Sequence, residues 1–227
     1  MQVRGRLLGP PHRLYRGGVV TAWLVRILPD LRRQDVNNDL ADPDRLHKRM
    51  MLLVPDEMGE EARAQAGVLF RVEDTRNGLQ LLVQSSMKPD LSRLPDGYGE
   101  IALRELDGLL SRLTMGVSVH YRIDANPSKR LGKNAGPKTG KIQALRGAAA
   151  EEWWVARAAA NGLAVSTVSS QSQKDIRAKG SVRHAVVRFD GSAVVTDPEA
   201  VRMAVLQGIG RGKAYGCGLL SLALAQR

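Results

Sequence analysis

The order of elements along this 227-residue chain predicts an α+β fold: two tandem ferredoxin-like (RRM-like) units, each with an antiparallel sheet. Three observations carry that reading. The chain runs approximately strand, helix, hairpin, helix, strand, and then does so a second time. Two helices open on the same signal, Asp42-Pro43 and Asp197-Pro198, which places a side-chain acceptor at the cap and a proline at the first helical position. Asn77-Gly78, set between two strand-like runs, is a strong short hairpin signal. The predicted division is a basic N-terminal extension over 1–20, a first unit over 21–115 and a second over 116–227.

Residues 1–20 are rich in Gly, Pro and Arg and show no period, so they read as a disordered arm or as residues upstream of the true start. From Ala22 the run A-W-L-V-R-I-L has the β-branched and aromatic content of a strand. The helix opened by Asp42-Pro43 carries Leu46, Met50, Leu53 and Val54 on one face, and Pro55 stops it. Strands are expected over 68–73 and 79–85, joined by T-R-N-G. The stretch from Leu91 to Leu113 has room for a short second helix and a closing strand.

In the second half, Val117, Val119, Tyr121 and Ile123 alternate with polar residues, as a half-buried strand requires. Residues 125–141 read as a basic, turn-rich loop. A helix is expected from Glu151 to Asn161, ended by Gly162, with Trp153 and Trp154 as helix core. Strands are expected over 163–168, 182–189 and 193–196, the last two joined by a turn at Asp190-Gly191. The Asp197-Pro198 helix then runs to Leu206, and 217–224 is a final apolar strand.

Composition narrows the function. Lys plus Arg outnumber Asp plus Glu by 34 to 23, but unevenly: residues 1–20 carry four Arg and no acid, 21–115 carry 13 bases and 16 acids, and 116–227 carry 17 bases and 7 acids. A polyanion partner on the second half is the physical implication. A single cysteine, Cys217, excludes an internal disulfide framework and a cysteine-based zinc cluster, and the four histidines lack paired ligand spacing. No apolar run reaches the ~20 residues of a membrane span, and the N-terminus is a poor signal peptide, so the expected address is the cytoplasm.

Two features carry candidate chemistry. Gly208, Gly210, Gly212, Gly216 and Gly218 lie within G-I-G-R-G-K-A-Y-G-C-G-L-L-S (208–221), between a helix and a strand. Such a loop can bring backbone amides, with Arg211 and Lys213, to phosphate oxygens, or serve only as a tight connector packed on the sheet. It lacks the order of a Walker loop or a dinucleotide fingerprint. His47 is a candidate acid or base because imidazole titrates near neutrality. An isolated histidine alone does not distinguish that role from packing. His120 and His12 read as bystanders.

That glycine-rich loop, together with three other stretches in the same order, resembles the CasE family of CRISPR repeat-processing endoribonucleases (type I-E, Cascade). The three are D-L-A-D-P-D-R-L-H-K-R-M (39–50), F-R-V-E (70–73) with V-Q-S-S-M-K-P-D (83–90), and R-I-D-A-N-P-S-K-R (122–130). The resemblance implies two ferredoxin-like domains that bind a repeat stem-loop. It implies cleavage of pre-crRNA at the 3′ base of the stem with no metal or other cofactor. A 2′-hydroxyl attack would leave 2′,3′-cyclic phosphate and 5′-hydroxyl ends, and the protein would stay on crRNA beside other Cascade subunits. It would be monomeric when free and would have no membrane partner.

By the same resemblance His47 occupies the position of the family's catalytic histidine. Many relatives have tyrosine three residues earlier, where this chain has Asp44. Asp44 sits on the same helical face, so it can hydrogen-bond His47 and favour imidazolium, or it can simply complement the helix dipole in the first turn. Tyr215 and Lys213 are candidates for the missing phenol's part. RNA contacts are expected from Lys129, Arg130, Lys133, Lys138 and Lys141, from Lys174, Arg177, Lys179 and Arg183, and from Arg211 and Lys213. Few aromatic residues fit recognition of an A-form stem by shape and phosphate better than base stacking. The alternative reading, favoured by Asp44, is a catalytically weak or inactive stem-loop-binding subunit.

Overall fold

The computed structural model describes residues 21–55, 66–177 and 183–225. The basic extension over 1–20 and Lys179 lie outside them. The first sheet holds β1 (Trp23–Pro29), β2 (Leu69–Thr75), β3 (Gly78–Ser85) and β4 (Gly99–Glu105), in the spatial order β2-β3-β1-β4. All its pairings are antiparallel, with Trp23 opposite both Ser85 and Glu105. The β2–β3 hairpin closes on Thr75 and Gly78, at the Asn77-Gly78 turn. Among the described residues, two helices, α1 (Gln34–Ala41) and α2 (Pro43–Met51), lie between β1 and β2. Val36, Leu46, Met50 and Leu53 cover the sheet face formed by Val25, Ile27, Leu81 and Val83.

The second sheet repeats the arrangement. Its strands are β5 (Ser118–Ala125), β8 (Leu163–Ser172), β11 (Val187–Val195) and β12 (Ser221–Leu224), ordered β12-β5-β11-β8 and antiparallel throughout. A one-turn helix α3 (Asp107–Leu110) leads out of the first sheet. Helices α4 (Ala148–Ala159) and α5 (Pro198–Gln207) supply Trp154, Ala158, Val201 and Val205 to a core around Phe189 and Ile123. Leu106, Leu110 and Leu113 pack into that same core, so the connecting segment is a plug between the halves. Two small ribbons stand off the sheet: β6 (Ser128–Arg130) with β7 (Ile142–Ala144), and β9 (Ile176–Arg177) with β10 (Arg183–His184).

The stretch 91–113 holds the strand β4 between two single helical turns, Leu91–Arg93 and α3 (Asp107–Leu110), so the short helix and the closing strand are both present. Three expectations are corrected. Asp190-Gly191 is no turn: β11 runs straight through it, and residues 183–184 belong to the separate ribbon. Gly191 is there for clearance, because a Cβ would sit 2.0 Å from the Thr167 carbonyl oxygen and 2.7 Å from the Tyr121 hydroxyl. The final strand is shorter than 217–224, since residues up to Leu220 complete the glycine-rich loop. The loop over 125–141 instead contains β6 and a tight turn over Lys133–Lys138.

A buried polar seam joins the halves. Arg71, on β2 and 1% exposed, donates to Glu73 at 2.7 Å, to the Leu219 carbonyl at 2.9 Å, to Ser221 Oγ at 2.8 Å and to the Arg122 carbonyl at 3.3 Å. Arg188 forks onto Asp124 at 2.7 and 2.8 Å. Gln84 Nε2 reaches the Val205 carbonyl at 2.6 Å. Buried charges that satisfy one another in this geometry fix orientation more than they add stability.

Candidate functional site

Helix α2 begins where the sequence places it. The Asp42 carboxylate accepts from the amides of Asp44 (2.9 Å) and Arg45 (3.3 Å), and Pro43 fills the first turn. Leu46 and Met50 anchor its apolar stripe in the first core. Asp44 and His47, one turn apart and half-buried, are thereby held on the flank that meets the second half.

The opposing wall is the glycine-rich loop. All five of its glycines have positive φ, from 71° at Gly208 to 91° at Gly218. Two of them make the loop's seat on β2: a Cβ on Gly208 would lie 2.8 Å from the Leu69 side chain, and one on Gly216 would lie 3.3 Å from Phe70. Gly212 and Gly216 bracket a single helical turn, Lys213–Tyr215. Several loop amides are consumed by the fold itself: Tyr215 and Cys217 donate to the Gly212 carbonyl, Ile209 to Gly218, and Gly218 to Asp124. The connector role is therefore real, and it serves to aim side chains. Burial pushes the Cys217 thiol up to about 12, so it is no nucleophile.

Tyr215 is the side chain so aimed. Its hydroxyl donates to Asp44 Oδ1 at 3.3 Å across 171 residues of sequence. Its ring lies 6.5 Å from that of His47 and 5.5 Å from that of His184. Burial raises the Tyr215 pKa, and the Asp44 charge and hydrogen bond raise it further, so the phenol keeps its proton at neutral pH. His184 is shifted the other way, downward, first by burial and then by the Arg211 cation. Asn126 Nδ2 lies 2.6 Å from His184 Nδ1; with the carboxamide as donor, the neutral ring carries its proton on Nε2.

The structure thus gathers His47, Asp44, Arg211 and the glycine loop at one seam. Lys213 lies in the same loop, its ammonium on the Gln207 carbonyl at the end of α5 (2.6 Å). Lys129, Arg130, Lys133, Lys138 and Lys141 are exposed along the β6–β7 hairpin, and Arg130 also holds the Gly140 carbonyl at 2.7 Å. Lys174 and Arg177 are exposed next to the β9–β10 ribbon, and Arg183 pairs with Arg177 there through the backbone. Sequence reasoning did not find the Tyr215–Asp44 bond, the Asn126–His184 pair or the Arg71 seam. Asn126 in A-N-P-S-K, Arg71 in F-R-V-E, Asp44 and Tyr215 each lie in a stretch the sequence singled out, but the contacts among them had no local signal.

Comparison with known proteins places this arrangement. Residues 22–223 match the family described as CRISPR associated protein. The CRISPR-associated endoribonuclease Cse3 of Thermus thermophilus is 30% identical over 220 residues, covering 88% of this chain and 99% of that protein. The structure of Thermus thermophilus Cse3 bound to an RNA representing a pre-cleavage complex superposes with a TM-score of 0.78 at 28% identity, over 89% of this chain and 99% of that one. A chain of a CRISPR RNA-guided surveillance complex in a pre-nicking state is 48% identical, with a TM-score of 0.66 over 89% of this chain and all of that one. The chain belongs to the CRISPR-associated protein family, as an endoribonuclease of the Cse3/CasE type.

Proposed function

We propose that this protein binds the stem-loop of a CRISPR repeat, cleaves pre-crRNA at the 3′ base of the stem with His47 as the proton-transfer group, and stays with its product among Cascade subunits in the cytoplasm. The observation that carries this reading is the convergence of Asp44 and His47 on α2 with Tyr215 of the glycine-rich loop. The reaction is a transfer within the RNA. The 2′-oxygen bonds to phosphorus, the bond from phosphorus to the 5′-oxygen breaks, and one proton leaves the 2′-hydroxyl while another reaches the departing oxygen. Both transfers suit an imidazole at neutral pH, and no water is consumed. Tyr215, holding its proton, orients Asp44 along the same helix turn as His47.

Binding divides from chemistry along the chain. The functional domains are 21–115, which carries His47, and 116–227, whose basic hairpins track the stem. Lys129, Arg130, Lys133, Lys138, Lys141, Lys174, Lys179 and Arg183 supply phosphate contacts, with Arg177, Arg211 and Lys213. Such contacts read an A-form helix by shape and weaken steeply with salt.

The test uses the repeat RNA in chelator. His47→Ala lowers the single-turnover cleavage rate by roughly 10²–10⁴-fold while leaving stem-loop affinity nearly intact. Replacing the 2′-hydroxyl at the cut with hydrogen abolishes cleavage by the unaltered protein. Cleavage that survives either change, or that needs magnesium, overturns the mechanism. A repeat that is bound but left whole identifies an inactive binding subunit instead.

A further inference from the structure

Next to the catalytic seam, the second half opens a cleft of about 490 Å³ between the β6–β7 hairpin, the β9–β10 ribbon and the glycine-rich loop. The proposed function gives it no task. We propose that this cleft is a subsite for one unpaired nucleotide flanking the RNA stem, with His184 and Ser128 facing the base edge, Ile142 under its apolar surface and Arg211 at its phosphate. The proposal rests on the stem-loop reading above.

Size and chemistry support it together. The volume lies in the range of about 300–1,000 Å³ typical of small-molecule pockets. A paired helix cannot enter a concavity of that size, whereas a splayed nucleotide can, and unpaired bases are the part of an RNA whose edges are open to hydrogen bonding. The lining differs from the outward basic surface that tracks phosphates. It contains an amide, an imidazole and a hydroxyl beside apolar carbon, the set that recognises a base.

The recognition group is also pre-set. Asn126 is 8% exposed and its carboxamide nitrogen lies 2.6 Å from His184 Nδ1; with that nitrogen as donor, the ring presents Nε2–H to the cleft. Arg211 is exposed on the rim, and its charge adds to burial in lowering the His184 pKa. Arg146 is already committed to the Val186 carbonyl and to Asp175, so it shapes the wall. The His184 ring lies 5.5 Å from Tyr215, so a nucleotide seated here is one residue's width from the catalytic face.

Three RNAs decide the matter, each with a 2′-deoxy at the cut: the stem-loop alone, the stem-loop with unpaired nucleotides on its 5′ side, and the same on its 3′ side. Binding is read by fluorescence anisotropy. In the unaltered protein one flank tightens binding about ten-fold, the value of one well-made base contact. The tightening vanishes in His184→Ala and Asn126→Ala and persists in His184→Gln, which keeps a donor. Stem-loop-alone affinity and the thermal midpoint stay level in all three. No gain from either flank, or a gain that survives both alanine variants, overturns the subsite while the stem-loop reading stands. Failure to bind any of the three RNAs overturns both.

Discussion

Tyr215→Phe keeps the ring against α2 and deletes only the donor to Asp44. Its expected outcome is a cleavage rate for bound RNA lower by about three- to ten-fold, with stem-loop affinity unchanged, since one net hydrogen bond contributes about 0.5–1.5 kcal/mol. A matched loss in binding would instead mark Tyr215 as an RNA contact. The helical places of His47 and Asp44 were legible because a capping aspartate and a proline set the helix, while the role proposed for His47 came from the family resemblance. The Tyr215 partnership was not, because hydrogen bonds between residues 171 apart leave no mark on either local pattern. The same blindness hid the partner of His184. That histidine sits among lysines and arginines that suggest a solvated basic face, and only the fold turns it toward Asn126.

Two Xaa-Gly pairs with the same turn signature met different fates at the level of the element. Asn77-Gly78 closes a real hairpin, whereas Asp190-Gly191 lies inside β11, a strand paired on both sides. Nothing within the window around Asp190 reveals the Thr167 and Tyr121 oxygens that crowd it. Gly191→Ala is accordingly expected to cost about 1–3 kcal/mol, as overpacking does, read as a lower urea midpoint with an unchanged slope. A neutral result would mean that the strand shifts to make room. Periodicity and caps located the strands of the first sheet and helices α2, α4 and α5, whereas α1 and the two small ribbons were not expected and two expected strands of the second sheet are one. The segment before β4 was ambiguous because 91–98 mixes one proline, one glycine and isolated leucines without a period, and it folds as a single helical turn.

For the whole molecule, the halves are fixed by charges that no composition count reveals as paired. Arg71→Met removes a guanidinium that serves Glu73, two carbonyls and Ser221 together, and leaves Glu73 in a buried seam with weaker partners. The expected loss is about 3–5 kcal/mol, and denaturation should split into two transitions as the halves uncouple. A single transition with little loss would show that the apolar plug at Leu106–Leu113 suffices alone. The site belongs to this scale too, because α2 and the glycine loop come from opposite ends of the chain. A ribosome works from the N-terminus, so His47 emerges long before Tyr215 is made. The unfinished polypeptide carries its histidine with neither the opposing wall nor the loop's seat on β2. The proposed site is therefore assembled only once the glycine-rich loop has been made and seated.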